Sequence, residues 1–210
     1  ALISILVAAA AAAVLGIGFI RSASPTYDEP LHLASGWTYL ATGRYRLNIT
    51  DHPPLAEMWA ALPLAFLKPA AMTGHPLFQD LRRYAFADHF LYHNTVDPRR
   101  MLDWARGFAL LSVGGPLLGL LSAWAWRLGG APAAAGAAWA AALSPVLITN
   151  LGLVTTDGLS AALFTATFYF LALPRRTPKV WAAAGVCAGL ALASKFNMVL
   201  LAGLVPGLLL

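Results

Sequence analysis

The sequence predicts an all-α polytopic membrane protein, with about five to six spans and one large external loop after the first. Three observations carry this. Hydrophobic residues make up 59% of the 210 and charged residues 11%, against roughly 45–50% and about 25% in ordinary soluble domains. The apolar residues fall in long unbroken runs rather than in the period-2 alternation of half-buried strands. Most of the charge is confined to one stretch, 21–103.

Composition also excludes some functions. The net charge is +5, but the basic residues are scattered, and no dense basic block with interleaved aromatics suggests a nucleic-acid partner. The single cysteine, Cys187, rules out an intrachain disulfide and a cysteine-based zinc site, and reads as a small packed hydrophobe. The chain begins and ends inside apolar runs, as a fragment or the N-terminal part of a longer polytopic protein does.

Residues 1–20 are apolar apart from Ser4, enough at ~1.5 Å per residue to cross a ~30 Å hydrocarbon core. A signal peptide is the rival reading, but it requires a positive lead-in and an h-region of about 7–15 residues. Residues 21–103 contain no span. Within them 30–42 reads as a helix, opened by Pro30 and stopped by Gly43, with Asp28 and Glu29 at its positive end. Residues 54–67 read as a second helix, capped by Asp51 and kinked at Pro63. Its Trp59, Leu62, Leu64, Phe66 and Leu67 suit a helix lying in the membrane interface. The more polar 74–98 is helical in its middle. Further spans follow at 104–126, 132–149, 159–173 and 180–194, and an incomplete sixth at 198–210. Glycines and Arg127 separate the second from the third, a polar break at 150–157 the third from the fourth, and a basic turn with Arg175, Arg176 and Lys179 the fourth from the fifth.

Basic residues in short loops mark the cytoplasmic side. Arg127 and the 174–179 turn then lie inside, and the large loop, 150–157 and Lys195 lie outside. Asp28, Asp51, Asp157 and Lys195 are dispersed in sequence but converge on one face. Only nine of the 210 residues are Asp or Glu, so acids placed there are functional candidates. Each has a plainer reading: Asp28 and Asp51 as helix caps, Lys195 as a snorkelling side chain. Arg106, one turn into the second span, is expected to pair with a loop acid. His89 and His93, spaced i, i+4, could present two ligands on one helical face, but lack the glutamate of a zincin motif. Arg82-Arg83 and Arg99-Arg100 read as solvated or headgroup contacts.

The order of Asp28-Glu29, Asp51-His52-Pro53-Pro54-Leu55, Asp88-His89-Phe90-Leu91-Tyr92, Arg106, Thr155-Thr156-Asp157 and Ser194-Lys195-Phe196 resembles the family 39-type glycosyltransferases, relatives of protein O-mannosyltransferases and lipid A aminoarabinose transferases. The resemblance implies a GT-C fold and transfer of a sugar from a polyprenyl-phosphate donor, at the outer face of the inner (plasma) membrane, to an acceptor hydroxyl that it does not identify. It implies Asp28 as catalytic base and Asp51 as a ligand of a divalent metal. It also implies a donor or phosphate site formed by Lys195, Asp157, His52, Glu29 and Arg106. His52 stands where the aminoarabinose transferases carry a lysine near the donor phosphate. Membrane lipids are the other expected partner. The alternatives are a transporter or flippase of lipid-linked precursors, and an inactive membrane fragment or scaffold.

Overall fold

The computed structural model describes residues 1–175 and 177–207, and among them every regular element is helical. Arg176 of the basic turn and the end of the expected sixth span lie outside the described residues. Two helical runs are long and apolar enough to cross a membrane, Leu2–Ser22 and Pro98–Ala142.

The first, α1 (Leu2–Ser22), buries Ala8, Gly16 and Ile20, which lie at multiples of four and so share one face. At Gly16 the helix is closely approached, and a Cβ would stand 2.6 Å from the Leu110 side chain. Leu2, Ile3, Leu6 and Val14 on the other faces are 60–78% exposed, an arrangement that suits lipid better than water.

The 21–103 stretch forms five helices: α2 (Glu29–Thr42), α3 (Leu55–Ala61), α4 (Leu64–Leu67), α5 (Pro76–Gln79) and α6 (Arg83–Tyr92). Gly43 ends α2 at φ 72°, a left-handed conformation that glycine adopts without a Cβ penalty. The helix expected over 54–67 is broken at Leu62–Pro63, since proline cannot supply the interior N–H. Asp51 does not cap it, as α3 starts without a side-chain cap.

Nor do these helices simply rest on an interface. They share a core of Leu31, Leu33, Leu64, Phe78, Phe86, Phe90 and Leu91, closed by Met101 and Val154 from later in the chain. Of the apolar residues expected to face lipid, Leu64 is fully buried, while Phe66 is 80% and Leu62 38% exposed; the Trp59 indole donates to Ser112 Oγ at 3.0 Å. At Gly36 the backbones of α2 and α3 touch: a Cβ would meet the Glu57 carbonyl oxygen at 2.1 Å.

The second long run comprises α7 (Pro98–Ala109), a π-helical turn (Leu110–Gly114) and α8 (Gly115–Ala142). It is not straight. Leu118, Ala138 and Ala142 share one cluster with Ala8 of α1, whereas a straight helix separates residues 118 and 138 by about 30 Å. The chain folds back at Gly129 (φ −145°) and Gly130 (φ 68°, ψ −156°), where the second and third spans were expected to part. The returning arm is interrupted earlier than the expected 149. It stops at Ala142 and restarts as α9 (Pro145–Leu151), with Ser144 Oγ accepting from the Leu147 N–H. Asn150 and Leu151 stay helical, which shortens the expected polar break.

Two 15-residue helices follow, α10 (Asp157–Leu171) and α11 (Pro178–Leu192), each about 22 Å long against a ~30 Å hydrocarbon core. A 3₁₀ turn (Phe196–Leu200) leads to α12 (Leu201–Gly207). Direction alternates along the bundle. Trp139 donates to Ser4 Oγ at the start of α1, Leu151 packs on Ile20 at its end, and Tyr169 returns to Trp124 at the far end.

Candidate functional site

The end of the bundle at the C-terminus of α1 gathers the charges. Glu29 and Arg106 form its foundation, and both are buried, at 0% and 1% exposure. Arg106 donates from Nε to Glu29 Oε1 at 2.8 Å and from Nη2 to Oε2 at 2.6 Å. It also donates to the carbonyls of Ala23 and Ser24 at 3.0 Å. Glu29 further accepts from the N–H groups of Thr26 and Val154, each at 2.9 Å. Burial pushes the Glu29 carboxyl up, but Arg106 and the two backbone N–H groups outweigh it and hold the acid below the usual carboxylate range. The pairing expected of Arg106 with a loop acid is present. Glu29 and Arg106 face each other and the backbone, so neither offers a free group to a donor phosphate.

Asp28, beside this staple, is exposed and does not cap α2. Its Oδ1 lies 3.5 Å from the Tyr84 hydroxyl. Asp51 Oδ2 pairs with Arg83 Nη1 at 2.6 Å, and its Oδ1 accepts from Thr50 Oγ1 at 2.9 Å. Slight burial raises the Asp51 carboxyl, and the Thr50 hydroxyl and Arg83 more than reverse this. Arg83 and Tyr84 are consecutive, so the first turn of α6 joins the two acidic clusters. These contacts cross 32 and 56 residues, so no local pattern announces them.

His52 is half-buried. Its ring lies 5.4 Å from that of His32, and its Nδ1 is buried without a partner. Burial first, and the His32 ring next, hold it below the ordinary histidine range. Beneath it lies a network that sequence reasoning missed. Glu57, 1% exposed, bonds His32 Nδ1 at 2.8 Å, the Asn48 amide, and the Tyr45 hydroxyl at 3.0 Å. The same hydroxyl is 2.7 Å from the His52 carbonyl. Glu57 thus anchors the loop that carries Asp51 and His52. Its only signal in the sequence was an acid inside an otherwise apolar helix.

Asp157 opens α10 and forms an ion pair with Lys195. The pair sits at the rim of a cleft of about 340 Å³, walled by Leu117, Leu147, Leu151, Phe164 and Met198. The Leu55 N–H donates to the Ala193 carbonyl at 3.0 Å, which ties this rim to the His52 loop. The structure therefore brings Asp28, Asp51, His52, Asp157 and Lys195 to one end of the bundle.

Comparison with protein families, with curated proteins and with solved structures finds no match for this chain.

The donors at Asp51 do not fit a divalent metal. Hard cations take about six oxygen ligands, but both Asp51 oxygens are engaged by Arg83 and Thr50. Among the described residues, no three His, Cys, Asp or Glu side chains are grouped to hold an ion. His89 does meet His93, and also His75, but as stacked rings at 4.9 and 4.2 Å.

Proposed function

We propose that this chain is an integral membrane, inverting glycosyltransferase of the GT-C type, using a polyprenyl-phosphate sugar donor at the outer face of the inner membrane. One observation carries the reading: four separated stretches bring Asp28, Asp51, His52, Asp157 and Lys195 to one end of the bundle. There Asp157 and Lys195 stand at the rim of an apolar cleft. A lipid-linked donor requires that combination, an apolar channel for the tail and a cation for the phosphate. In this reading α1, the two arms of the folded-back run with α9, and α10 to α12 supply five to six crossings. Arg127 and Arg175, at the opposite end, then face the cytoplasm.

The chemistry follows from the groups present. The acceptor oxygen attacks the anomeric carbon from the face opposite the phosphate, and Asp28 takes its proton. The bond from that carbon to the phosphate oxygen breaks with its electron pair. Polyprenyl phosphate leaves beside Lys195, displacing Asp157 from its resting ion pair. A positioned base contributes about 10²–10⁴-fold. No step is routed through a metal. The test is transfer of labelled sugar from a lipid-linked donor in reconstituted membranes. Asp28→Asn is expected to lower the rate by about 10²–10⁴-fold; an unchanged rate in the full-length protein removes Asp28 as the base.

A transporter of lipid-linked precursors is the second reading, favoured by the helix break between Ala142 and Pro145. Labelling of Asp28→Cys from each side separates the two. Access that alternates with transport state supports the transporter, and access from one side supports the transferase.

A further inference from the structure

Tyr27 immediately precedes the proposed base and is left 76% exposed. One face of its ring is stacked on Tyr84 at 4.8 Å and 29°. Tyr84 is held in turn: its hydroxyl lies 3.5 Å from Asp28 Oδ1, and the Arg83 guanidinium stands 5.4 Å over its ring. Arg83 is fixed by Asp51 at 2.6 Å. The result is an aromatic face backed by a second ring, next to Asp28 and joined through Arg83 to Asp51. A tyrosine has only two side-chain torsions to restrain, so it offers a large contact area at low entropic cost.

We propose that Tyr27, supported by Tyr84 and next to Asp28, is a stacking platform for a pyranose ring, and that the acceptor is therefore a carbohydrate. The inference rests on the sugar-transfer reading and deepens it. The face of an aromatic ring is electron-rich, and the C–H face of a pyranose is its complement. The exposed Asp28 carboxylate accepts from an adjacent sugar hydroxyl, and a charged acceptor roughly doubles the strength of such a bond. The donor phosphate belongs at Lys195, so a ring stacked beside Asp28 is on the acceptor side and presents its hydroxyl to the base. A tyrosine in an interfacial belt is the plainer alternative, since Tyr27 follows α1 closely. A belt residue, however, has no use for a stacked partner whose hydroxyl is at Asp28 and whose ring is covered by Arg83.

The experiment uses the whole protein in nanodiscs. Saturation-transfer NMR measures binding of methyl α-D-mannopyranoside, methyl α-D-glucopyranoside and methyl α-D-galactopyranoside, with hexose 1-phosphate as a separate arm. Saturation is expected on the ring C–H protons of at least one glycoside. Tyr27→Ala should weaken that binding about tenfold, and Tyr27→Trp should retain it. Tyr27 is exposed, so neither change threatens folding. Binding of hexose 1-phosphate alone overturns the acceptor assignment. Glycoside binding unaffected by Tyr27→Ala, or a Tyr27→Ala defect confined to vesicle partitioning, overturns the platform. Because binding is read without turnover, glycoside binding with no sugar transfer leaves the platform standing and removes the transferase reading.

Discussion

Glu29→Gln tests whether the buried staple holds this end of the bundle together. The substitution keeps the volume but removes the charge facing Arg106, which is 1% exposed and has no other acid within bonding distance among the described residues. Leaving one member of a buried pair unpaired costs about 3–5 kcal/mol. The upper half applies here, because Glu29 also accepts from Thr26 and Val154, and so joins the start of α2 to the turn before α10. At roughly 2–4 °C per kcal/mol for a chain of this size, the midpoint should fall by about 8–20 °C. Tryptophan fluorescence during thermal unfolding in detergent reads it. The double variant Glu29→Gln/Arg106→Met should recover part of the loss, since it removes the stranded cation. The pH dependence has a fixed sign. The folded-state acid is held below its ordinary value, so its contribution is complete above the unfolded carboxyl pKa of about 4.3 and is lost as pH falls through the folded value. A cost below about 1 kcal/mol, or strict additivity in the double variant, would refute the staple, because that is the behaviour of an exposed pair.

Three further outcomes follow from the packing and the donor sets. Gly36→Ala should destabilise the protein by about 3 kcal/mol or more, since the Glu57 backbone in its path cannot swing aside; chemical denaturation measures it, and a neutral result would show that α2 and α3 slide apart freely. Arg83→Ala should cost less than about 1 kcal/mol of stability, because the Arg83 and Asp51 side chains are 32% and 38% exposed. It should nonetheless impair sugar transfer, which a parallel rate and unfolding measurement separates from a folding defect. Treatment with EDTA should leave the transfer rate unchanged, because Arg83 and Thr50 already engage the Asp51 oxygens; restoration of a lost rate by a divalent cation would show that Asp51 changes partners on donor binding.

What could be read in advance was local. Gly43 and the 129–130 glycines stop helices by backbone conformation alone, so their positions follow from the residues themselves. Pro63 likewise marks its own break, but the one at Pro145 was harder to place, because the apolar run continues through it and hydropathy alone does not register a missing N–H. The network around Glu57 could not be read. An acid in a seven-residue helix carries no sign that His32, Asn48 and Tyr45 will converge on it, since His32 comes from α2 and the other two from the loop after it. The apolar residues of 54–67 divide between two roles, Leu64 in the loop core and Phe66 exposed, because apolar residues serve a protein core as well as they serve a bilayer.

Arg82-Arg83 shows why the site's internal order lay beyond the sequence. Read alone, two arginines in a polar loop are a solvated pair, and Tyr84 is one aromatic among many. The core formed by Phe78, Phe86 and Phe90 fixes α6 against α2, and so aims its first turn at Asp28 and Asp51 together. Hydrophobic packing in the loop therefore sets the spacing of the two acidic clusters. A cavity made in that core, for example at Phe86, disturbs the site without touching a charged residue. The acids are also held at a common level with Lys195 by two backbone links, Val154 N–H to Glu29 and Leu55 N–H to the Ala193 carbonyl. These links join the loop core to the helical bundle, so the arrangement of charges at this end depends on both parts folding together.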